Sequence, residues 1–132
     1  MIKAAAIPVV LGLALLAPAV GGAAPAEPRQ TFIDNCSACH QPEGAGIQGI
    51  FPALASNPFV KGDPTELTRT ILAGRNGMPS FKNDLADEQL AAIVSHIRMS
   101  WGNGAAPVTP EFIDDVRKKT NNQLGQNPSN AN

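Results

Sequence analysis

The sequence predicts a small all-α domain in which helices are separated by long loops. Three observations point to this class: apolar residues recur at helical spacing, helix start and stop signals flank those segments, and no segment alternates like a half-buried strand. The chain has 132 residues, of which 12 are glycine and 12 are proline, so a long helical rod is excluded. A core this small usually needs a disulfide, a metal or another cofactor to complete it.

The charge balance and the cysteine count exclude two further classes. Ten Lys and Arg stand against eleven Asp and Glu, which gives a formal net charge of −1. Nucleic-acid binders normally carry a basic patch or stripe, so we expect no nucleic-acid partner. Two cysteines are too few for a disulfide-dense scaffold.

Residues 1–23 have the features of a secretory signal peptide. One basic residue precedes an uncharged apolar run at residues 4–20, and small residues follow it. Cleavage after Ala23 fits best, and cleavage after Ala26 is the alternative. An uncleaved membrane anchor is the competing interpretation, although two prolines in the run weaken a spanning helix. We therefore expect a periplasmic protein with no membrane-spanning segment after cleavage, in a compartment that tolerates oxidised thiols.

The first half of the mature chain predicts two helices around a long loop. A short amphipathic segment at residues 29–35 runs directly into Cys36. Residues 41–59 are rich in Gly, Pro, Ala and Asn, and a loop of that length is unusual unless something inside the protein holds it. An Asp-Pro pair at residues 63–64 is typical of a helix start, and Gly74 is typical of its end.

The second half contains the strongest helix prediction, at residues 87–101, after a loop at residues 75–83. Its apolar stripe consists of Leu90, Ile93, Val94, Ile97 and Trp101. Another short helix is expected from Thr109 to about Lys119. The predicted organisation is a signal peptide at 1–23, a domain at 24–104, a helical extension at 105–120 and a polar, disordered tail at 121–132.

The motif that carries chemistry is Cys36-Ser37-Ala38-Cys39-His40. Two cysteines three residues apart, followed at once by a histidine, form the attachment signature of c-type haem. The two thiols can both reach the vinyl groups of one haem, and His40 can bind its iron as an axial ligand. Export agrees with this interpretation, because such attachment takes place outside the cytoplasm. A large flat apolar cofactor would also complete the small core.

Three other interpretations of the cysteine pair stay open. A redox dithiol also has the C-x-x-C spacing, but the sequence lacks the βαβ context and the dithiol leaves His40 unused. A zinc site needs more ligands than the one other histidine and the absent second cysteine pair can supply. A structural disulfide is the simplest alternative.

The second iron ligand has three candidates, Met78, Met99 and His96. On a helical wheel anchored at Leu90, Met99 lies about 180° away and faces solvent, whereas His96 lies about 120° away at the flank. Met78 is in a loop that the following proline stiffens. Methionine ligation raises the reduction potential and leaves no open site for a substrate. We predict ligation by His40 and Met78, with His96 packed at a helix contact.

The ring of His40 also needs a fixed orientation. Iron-binding histidines usually donate their other ring proton to a carbonyl or a carboxylate. We predict that the backbone carbonyl of Pro52 accepts this proton. The predicted site therefore has no catalytic residue and consists of Cys36, Cys39, His40, Pro52 and Met78, with the iron held by His40 and Met78.

With these motifs in view, residues 32–101 resemble a class I cytochrome c. The features that match are the CSACH motif, Gly44 and Gly46 after it, the proximal loop Phe51-Pro52-Ala53-Leu54, the methionine loop Gly77-Met78-Pro79-Ser80-Phe81 and the C-terminal helix. The resemblance implies a cytochrome c fold, with helices and long loops wrapped around one covalently attached haem. More narrowly, the segment around Trp101 resembles the last haem domain of cytochrome subunits of membrane-bound alcohol and related quinoprotein or molybdenum dehydrogenases.

The chain departs from this family at two places. The family often has a glycine eight residues before the first cysteine, packed against an aromatic residue of the C-terminal helix. Pro28 and His96 stand at those positions, so the contact is expected to be built differently. Ala86 stands where a serine or threonine often caps the last helix, and Asp87 is expected to cap it instead.

The resemblance implies an electron-transfer protein rather than an enzyme. One arrangement is a free monomeric carrier between redox protein partners, a dehydrogenase on one side and an oxidase or another cytochrome on the other. The alternative is a tightly bound haem subunit of a periplasmic quinoprotein or molybdenum dehydrogenase. A haem enzyme or gas sensor would need an open iron, and no distal histidine, arginine or acid with recognisable spacing supports it.

The apolar side of the extension and three cations can each be interpreted in two ways, as a partner-binding feature or as an ordinary structural one. The extension has Phe112, Ile113 and Val116 on one side, which either dock a partner or pack back on the domain. The cations Lys61, Arg75 and Lys82 either steer an acidic partner or are ordinary solvated charges.

Overall fold

The computed structural model describes residues 27–126, so the expected signal peptide and its cleavage site lie outside the described residues. Within this range there is no strand, only isolated bridges between Ile47 and Phe51 and between Arg75 and Met78. No helix among residues 27–126 combines the length and the apolar character needed to cross a membrane. The helices are α1 (Pro28–His40), α2 (Pro58–Lys61), α3 (Pro64–Ala73), α4 (Asp87–Met99) and α5 (Pro110–Gln126), which confirms the all-α prediction.

The start and end of α3 follow the sequence signals. A carboxylate oxygen of Asp63 accepts a hydrogen bond from the backbone N–H of Thr65 at 2.8 Å, and Gly74 ends the helix with a φ of +77°. The four-residue helix α2 begins at the end of the loop predicted for residues 41–59, and it is too short to show periodicity in the sequence. It has the same type of start, since the side chain of Asn57 accepts from the N–H of Phe59 at 2.8 Å.

The start of α4 differs from its prediction. Ala86 is the residue that precedes the helix, and its backbone N–H donates to the side chain of Gln89 at 3.0 Å. Asp87 is already helical and its carboxylate accepts from Arg117 at 2.8 Å. The prediction that Asp87 caps α4 is therefore wrong. The helix ends at Met99, and Trp101 follows it in a turn.

The extension ends later than predicted. Helix α5 continues past Lys119 to Gln126, so the expectation of disorder from residue 121 is wrong as far as Gln126, and residues 127–132 lie outside the described range. Thr120 explains the difference, because it is only 2% exposed and its hydroxyl donates to the carbonyl of Val116 at 2.8 Å. Because the hydroxyl of Thr120 is hydrogen-bonded within its own helix, this polar residue can extend the buried side of α5.

The core lies where α1, α3, α4 and α5 meet. The predicted apolar face of α4 is buried, with Trp101 half-buried beyond its end. Helix α5 packs against both α3 and α4, with Ile113 fully buried and Val116 3% exposed. The apolar side of the extension therefore packs back on its own domain. The fully buried apolar side chains are Phe32, Val60, Leu72, Leu90, Ile93, Val94 and Ile113.

A buried arginine fastens the chain after α4 to the rest of the domain. Arg98 is 5% exposed, and its guanidinium donates to three backbone carbonyls. Nε donates to Ala106 at 2.7 Å, while one terminal nitrogen donates to Val60 at 2.8 Å and to Gly62 at 2.9 Å. These contacts join α2, α4 and the start of the extension. No sequence pattern indicates this role, since Arg98 has the position of an ordinary cation in the last turn of a helix.

Candidate haem site

The last turn of α1 carries Cys36, Cys39 and His40. Residues three apart on a helix lie on neighbouring positions of one face, so the two cysteines are presented together. Both are free thiols and both are partly exposed, and Cys36 also packs against the core. The structural disulfide considered from the sequence is not formed.

The electrostatics of the cysteine pair do not suit a redox dithiol. Burial, with a smaller contribution from the neighbouring Cys39, raises the pKa of Cys36 to about 11. A reactive dithiol needs the opposite shift, because the thiolate is the nucleophile.

The zinc alternative lacks ligands within the described part of the chain. Residues 27–126 contain no group of three or more His, Cys, Asp or Glu side chains that could hold a metal ion, which a structural zinc site requires.

His40 is oriented by the loop that follows it. Its Nδ1 lies 3.0 Å from the carbonyl oxygen of Pro52. Because a carbonyl only accepts, Nδ1 carries the proton and donates it, which leaves a lone pair on Nε2. This is the contact predicted from the sequence, and it is the arrangement that an iron-binding histidine requires.

The loop brings Pro52 to His40 by folding back on itself. The N–H of Gly46 donates to the carbonyl of His40 at 2.9 Å, and the N–H of Ile47 donates to the carbonyl of Phe51 at 2.9 Å. Gly46 has a φ of +64°, and a Cβ there would lie 2.4 Å from the oxygen of Phe51 and 2.7 Å from that of Pro52. A side chain at residue 46 would therefore push away the carbonyl that orients His40.

The other glycine of the motif, Gly44, gives room to Trp101. A Cβ on Gly44 would lie 2.5 Å from the indole ring, and the φ of +65° also favours glycine. The carbonyl of Gly44 accepts from the N–H of Leu54 at 2.7 Å, so the same residue closes the loop. The end of α4 and the loop around Pro52 are thereby packed as one unit.

His96 belongs to an aromatic cluster and is placed as predicted, at a helix contact. Its ring centroid lies 5.4 Å from that of Phe32 on α1 and 5.0 Å from that of Trp101. Burial lowers the pKa of His96, and the charge of Arg29 lowers it further. Met99 is 59% exposed, in agreement with its position on the helical wheel.

Asn103 has a structural role that the sequence analysis did not predict. The side chain is 5% exposed and fully hydrogen-bonded. Nδ2 donates to the carbonyls of Leu54 and Ile97 at 2.9 and 2.8 Å, and Oδ1 accepts from the N–H of Asn57 at 2.9 Å. These contacts join the loop after Pro52 to the end of α4. No local pattern could reveal partners that are more than 40 residues away.

Met78 stands at the end of a tight turn. The N–H of Arg75 donates to the carbonyl of Met78 at 3.1 Å, and the reverse hydrogen bond is 2.9 Å. The two central residues, Asn76 and Gly77, both have positive φ, at +48° and +88°. This is the type I′ turn that an Asn-Gly pair favours, and it fixes the backbone on which the thioether is carried.

The methionine loop is also anchored to α3. Ser80 Oγ donates to the carbonyl of Leu72 at 2.6 Å, and the N–H of Phe81 donates to that of Ile71 at 3.1 Å. Met78 is half-buried and packs against the core, but none of the hydrogen bonds described within residues 27–126 joins it to His40. The structure therefore brings Cys36, Cys39, His40 and Pro52 together and places Met78 on a separately fixed loop.

The residues present fit a covalently attached haem. The helix end offers two free thiols and a histidine whose Nε2 is available to iron, and the methionine loop offers a thioether.

The three cations that the sequence suggested for steering a partner differ in their solvent exposure. Lys61 and Arg75 are exposed, whereas Lys82 is half-buried.

Comparison with known proteins identifies the family. Residues 23–97 match the family model described as cytochrome C oxidase, cbb3-type, subunit III, whose members are c-type cytochrome domains. This chain belongs to that family. The match covers the cysteine motif, the Pro52 and Met78 loops and most of α4.

Several relatives of this cytochrome are subunits of dehydrogenases. The cytochrome c subunit of the quinone alcohol dehydrogenase of Gluconobacter oxydans (strain 621H) is 38% identical over 103 residues, which cover 69% of this chain and 21% of that protein. The gluconate 2-dehydrogenase cytochrome c subunit of Pantoea cypripedii is 36% identical over 109 residues, which cover 72% and 25%. This cytochrome therefore spans about a quarter or less of the length of these relatives.

A small cytochrome and a solved structure are similar as well. Cytochrome c-552 of Thermus thermophilus is 33% identical over 105 residues, which cover 64% of this chain and 80% of that protein. The crystal structure of the c-type cytochrome XoxG from Methylobacterium extorquens AM1 has a TM-score of 0.45 at 24% identity, over 72% of this chain and 65% of that one.

Proposed function

We propose that this cytochrome is a periplasmic one-electron carrier with one haem c, held by His40 and Met78 and passing electrons from a dehydrogenase or other respiratory donor to a downstream acceptor. The observation that carries the proposal is the hydrogen bond from His40 Nδ1 to the carbonyl of Pro52. It prepares the other ring nitrogen for iron directly beside a pair of free cysteines. The haem, once attached, supplies a centre that changes its charge by one electron.

The roles of the chain's own residues follow from their chemistry. Cys36 and Cys39 attach the cofactor through thioether bonds, and the Pro52 carbonyl holds the ring of His40 in place. As an iron ligand, the thioether of Met78 would stabilise the reduced state, which raises the reduction potential, and it would leave no position on the iron open to a substrate. Electron transfer therefore fits this set of residues better than catalysis on a bound substrate.

The alternative arrangement is a haem subunit bound to a quinoprotein or molybdenum dehydrogenase. It is favoured by the 38% and 36% identity to cytochrome c subunits of alcohol and gluconate dehydrogenases. The small cytochrome c-552 favours the free carrier, because this chain covers 80% of its length. Periplasmic location rests on the N-terminal segment, residues 1–23, and is part of the proposal.

The central claim is tested on protein exported in its native host. We expect a band that keeps its haem stain under denaturing conditions, and the Cys36→Ala, Cys39→Ala double variant should lose the stain. Met78→Leu should keep the stain but lower the reduction potential and lose the absorption that arises from sulfur bound to ferric iron. A polypeptide without covalent haem would contradict attachment, whereas an unchanged Met78→Leu spectrum would contradict only the second ligand.

Gel filtration of the native periplasmic fraction separates the two arrangements. A haem-stained band near the monomer mass supports the free carrier. A band in a large complex supports the subunit, and the proteins that elute with it identify the donor. A stained band that is confined to the cytoplasmic fraction would contradict export.

A further inference from the structure

The segment that follows the methionine loop is held from outside by α5. Arg117 of α5 directs its guanidinium at three acceptors in residues 82–87. Nη1 donates to the carbonyl of Lys82, Nη2 donates to that of Leu85 at 2.9 Å, and Nε donates to the carboxylate of Asp87 at 2.8 Å. The side chain of Arg117 is only 17% exposed, so these charge-assisted contacts are partly shielded from water.

These acceptors lie where the connection from α3 to α4 turns into α4. The N–H groups of Asp84 and Leu85 donate back to the carbonyl of Phe81 at 3.2 and 3.3 Å, so residues 81–85 form a compact turn. The carbonyls of Lys82 and Leu85 are left for Arg117. Phe81 is in turn bonded to α3 and lies three residues after Met78. Arg117 therefore fastens one end of the segment that carries Met78.

The packing of α5 makes it suited to this role. The helix contacts α3, from which the methionine loop departs, and α4, into which the loop leads. Ile113 and Val116 seat it in the core. A movement of residues 82–87 away from the core would have to break the contacts of Arg117 or pull α5 along with it.

We propose that Arg117 is a positioning residue for Met78 and that α5 is a brace that keeps the methionine loop closed. The inference rests on the proposed function in one respect, the binding of Met78 to the haem iron. The brace itself rests on the contacts of Arg117 with Lys82, Leu85 and Asp87. It gives the C-terminal extension a role inside the domain rather than at a partner surface.

The test is the affinity of the full-length ferric protein for imidazole, a small ligand that competes with Met78 and requires the loop to open. Arg117→Gln removes the charge and most of the donors, so we expect imidazole to bind about tenfold more tightly. Hydrogen exchange of the backbone amides of residues 80–85 should be faster in the same variant. Lys118→Gln is the matched control, because Lys118 forms an exposed pair with Asp114 on the same helix and should change neither quantity.

Two further variants separate the possible failures. Met78→Ala sets the affinity of a protein without the loop ligand, and if it binds imidazole no more tightly than the wild type, the ligation proposed for Met78 is wrong. If Met78→Ala binds imidazole more tightly but Arg117→Gln does not, and the hydrogen exchange of residues 80–85 is also unchanged, the brace is overturned. Should Arg117→Gln not fold, Asp87→Ala removes only the carboxylate that accepts from Nε of Arg117, and an imidazole affinity unchanged from the wild type would overturn the brace.

Discussion

The orientation of His40 requires a glycine at residue 46, because a side chain there would collide with the neighbouring loop. The Pro52 carbonyl reaches Nδ1 of His40 because the loop passes close to itself at Gly46, where a Cβ would collide with two carbonyl oxygens. The chain also needs a positive φ there, which costs other residues about 1–2 kcal/mol. Steric space and backbone conformation therefore select the same residue.

Gly46→Ala is expected to destabilise the protein by about 2–4 kcal/mol, because strain and collision add. Gly49→Ala is the matched control, since Gly49 has a φ of +78° but nothing within 4 Å of the added Cβ, and it should cost only about 1–2 kcal/mol. The measurement is urea unfolding of both variants, with the reduction potential as a second readout. Equal losses for the two variants would show that the approach of Pro52 to residue 46 does not matter.

The predictability of single site residues depended on whether their partners are local. Cys36, Cys39 and His40 carry their chemistry in five consecutive residues, and the Asn-Gly pair before Met78 marks its turn. Asn103 and Arg98 act through carbonyls that are distant in the sequence. In the sequence these two side chains look like ordinary solvent-exposed polar groups, because their partners are backbone carbonyls and N–H groups, which leave no pattern.

At the scale of elements, the contact between α1 and α4 includes a titratable side chain, His96. Phe32 of α1 packs on the ring of His96, and Nε2 of that ring is buried without a hydrogen-bond partner. Protonation would place a charge between aromatic rings, with the cation of Arg29 nearby, which is why the pKa of His96 is lowered in the folded protein. The contact is therefore strongest when the imidazole is neutral.

The sign of the pH dependence follows from that lowered pKa. Between the folded-state pKa of His96 and the ordinary value near 6.5, the unfolded chain binds more protons than the folded one. The stabilising contribution of neutral His96 to the free energy of unfolding should therefore be fully present above about pH 6.5. It should decrease as the pH drops toward the folded-state pKa. His96→Phe is expected to reduce this dependence, measured by urea unfolding from about pH 5 to about pH 7.5, a range that brackets the ordinary pKa of histidine. An identical dependence in the variant would assign the effect to another group.

Arg98 of α4 joins this helix to α2 and to the start of the extension through hydrogen bonds to backbone carbonyls. Arg98→Met would leave the carbonyls of Val60, Gly62 and Ala106 without this donor, and we expect a loss of about 3 kcal/mol in the free energy of unfolding. Arg69→Met, which removes a solvent-exposed pair with Glu66, should cost less than about 1 kcal/mol. Equilibrium unfolding in urea compares the two. Similar small losses would mean that water satisfies the three carbonyls in the variant.

At the scale of the whole molecule, the positions and the order of the helices could be predicted, but the sequence left open whether the last helix packs on the domain or docks a partner. The apolar stripe of α4 and the signals around α3 placed both helices closely. The predicted organisation separates a helical extension at residues 105–120 from the domain at residues 24–104. The structure instead seats Ile113 and Val116 in the same core as Leu72 and Leu90. Shared burial is a property of the tertiary fold, and local composition does not reveal it.

A shared core has a consequence for how the molecule opens. If α5 were an appendage, its amides would exchange with solvent through a separate and cheaper opening than those of α4. Because α5 packs on both α3 and α4 and Arg117 bonds to the start of α4, we expect the amides of Val116 and Thr120 to open with the same free energy as those of Ile93 and Val94. Native-state hydrogen exchange in low denaturant measures these values residue by residue. Lower values confined to α5 would show that the extension unfolds on its own and that the core is complete without it.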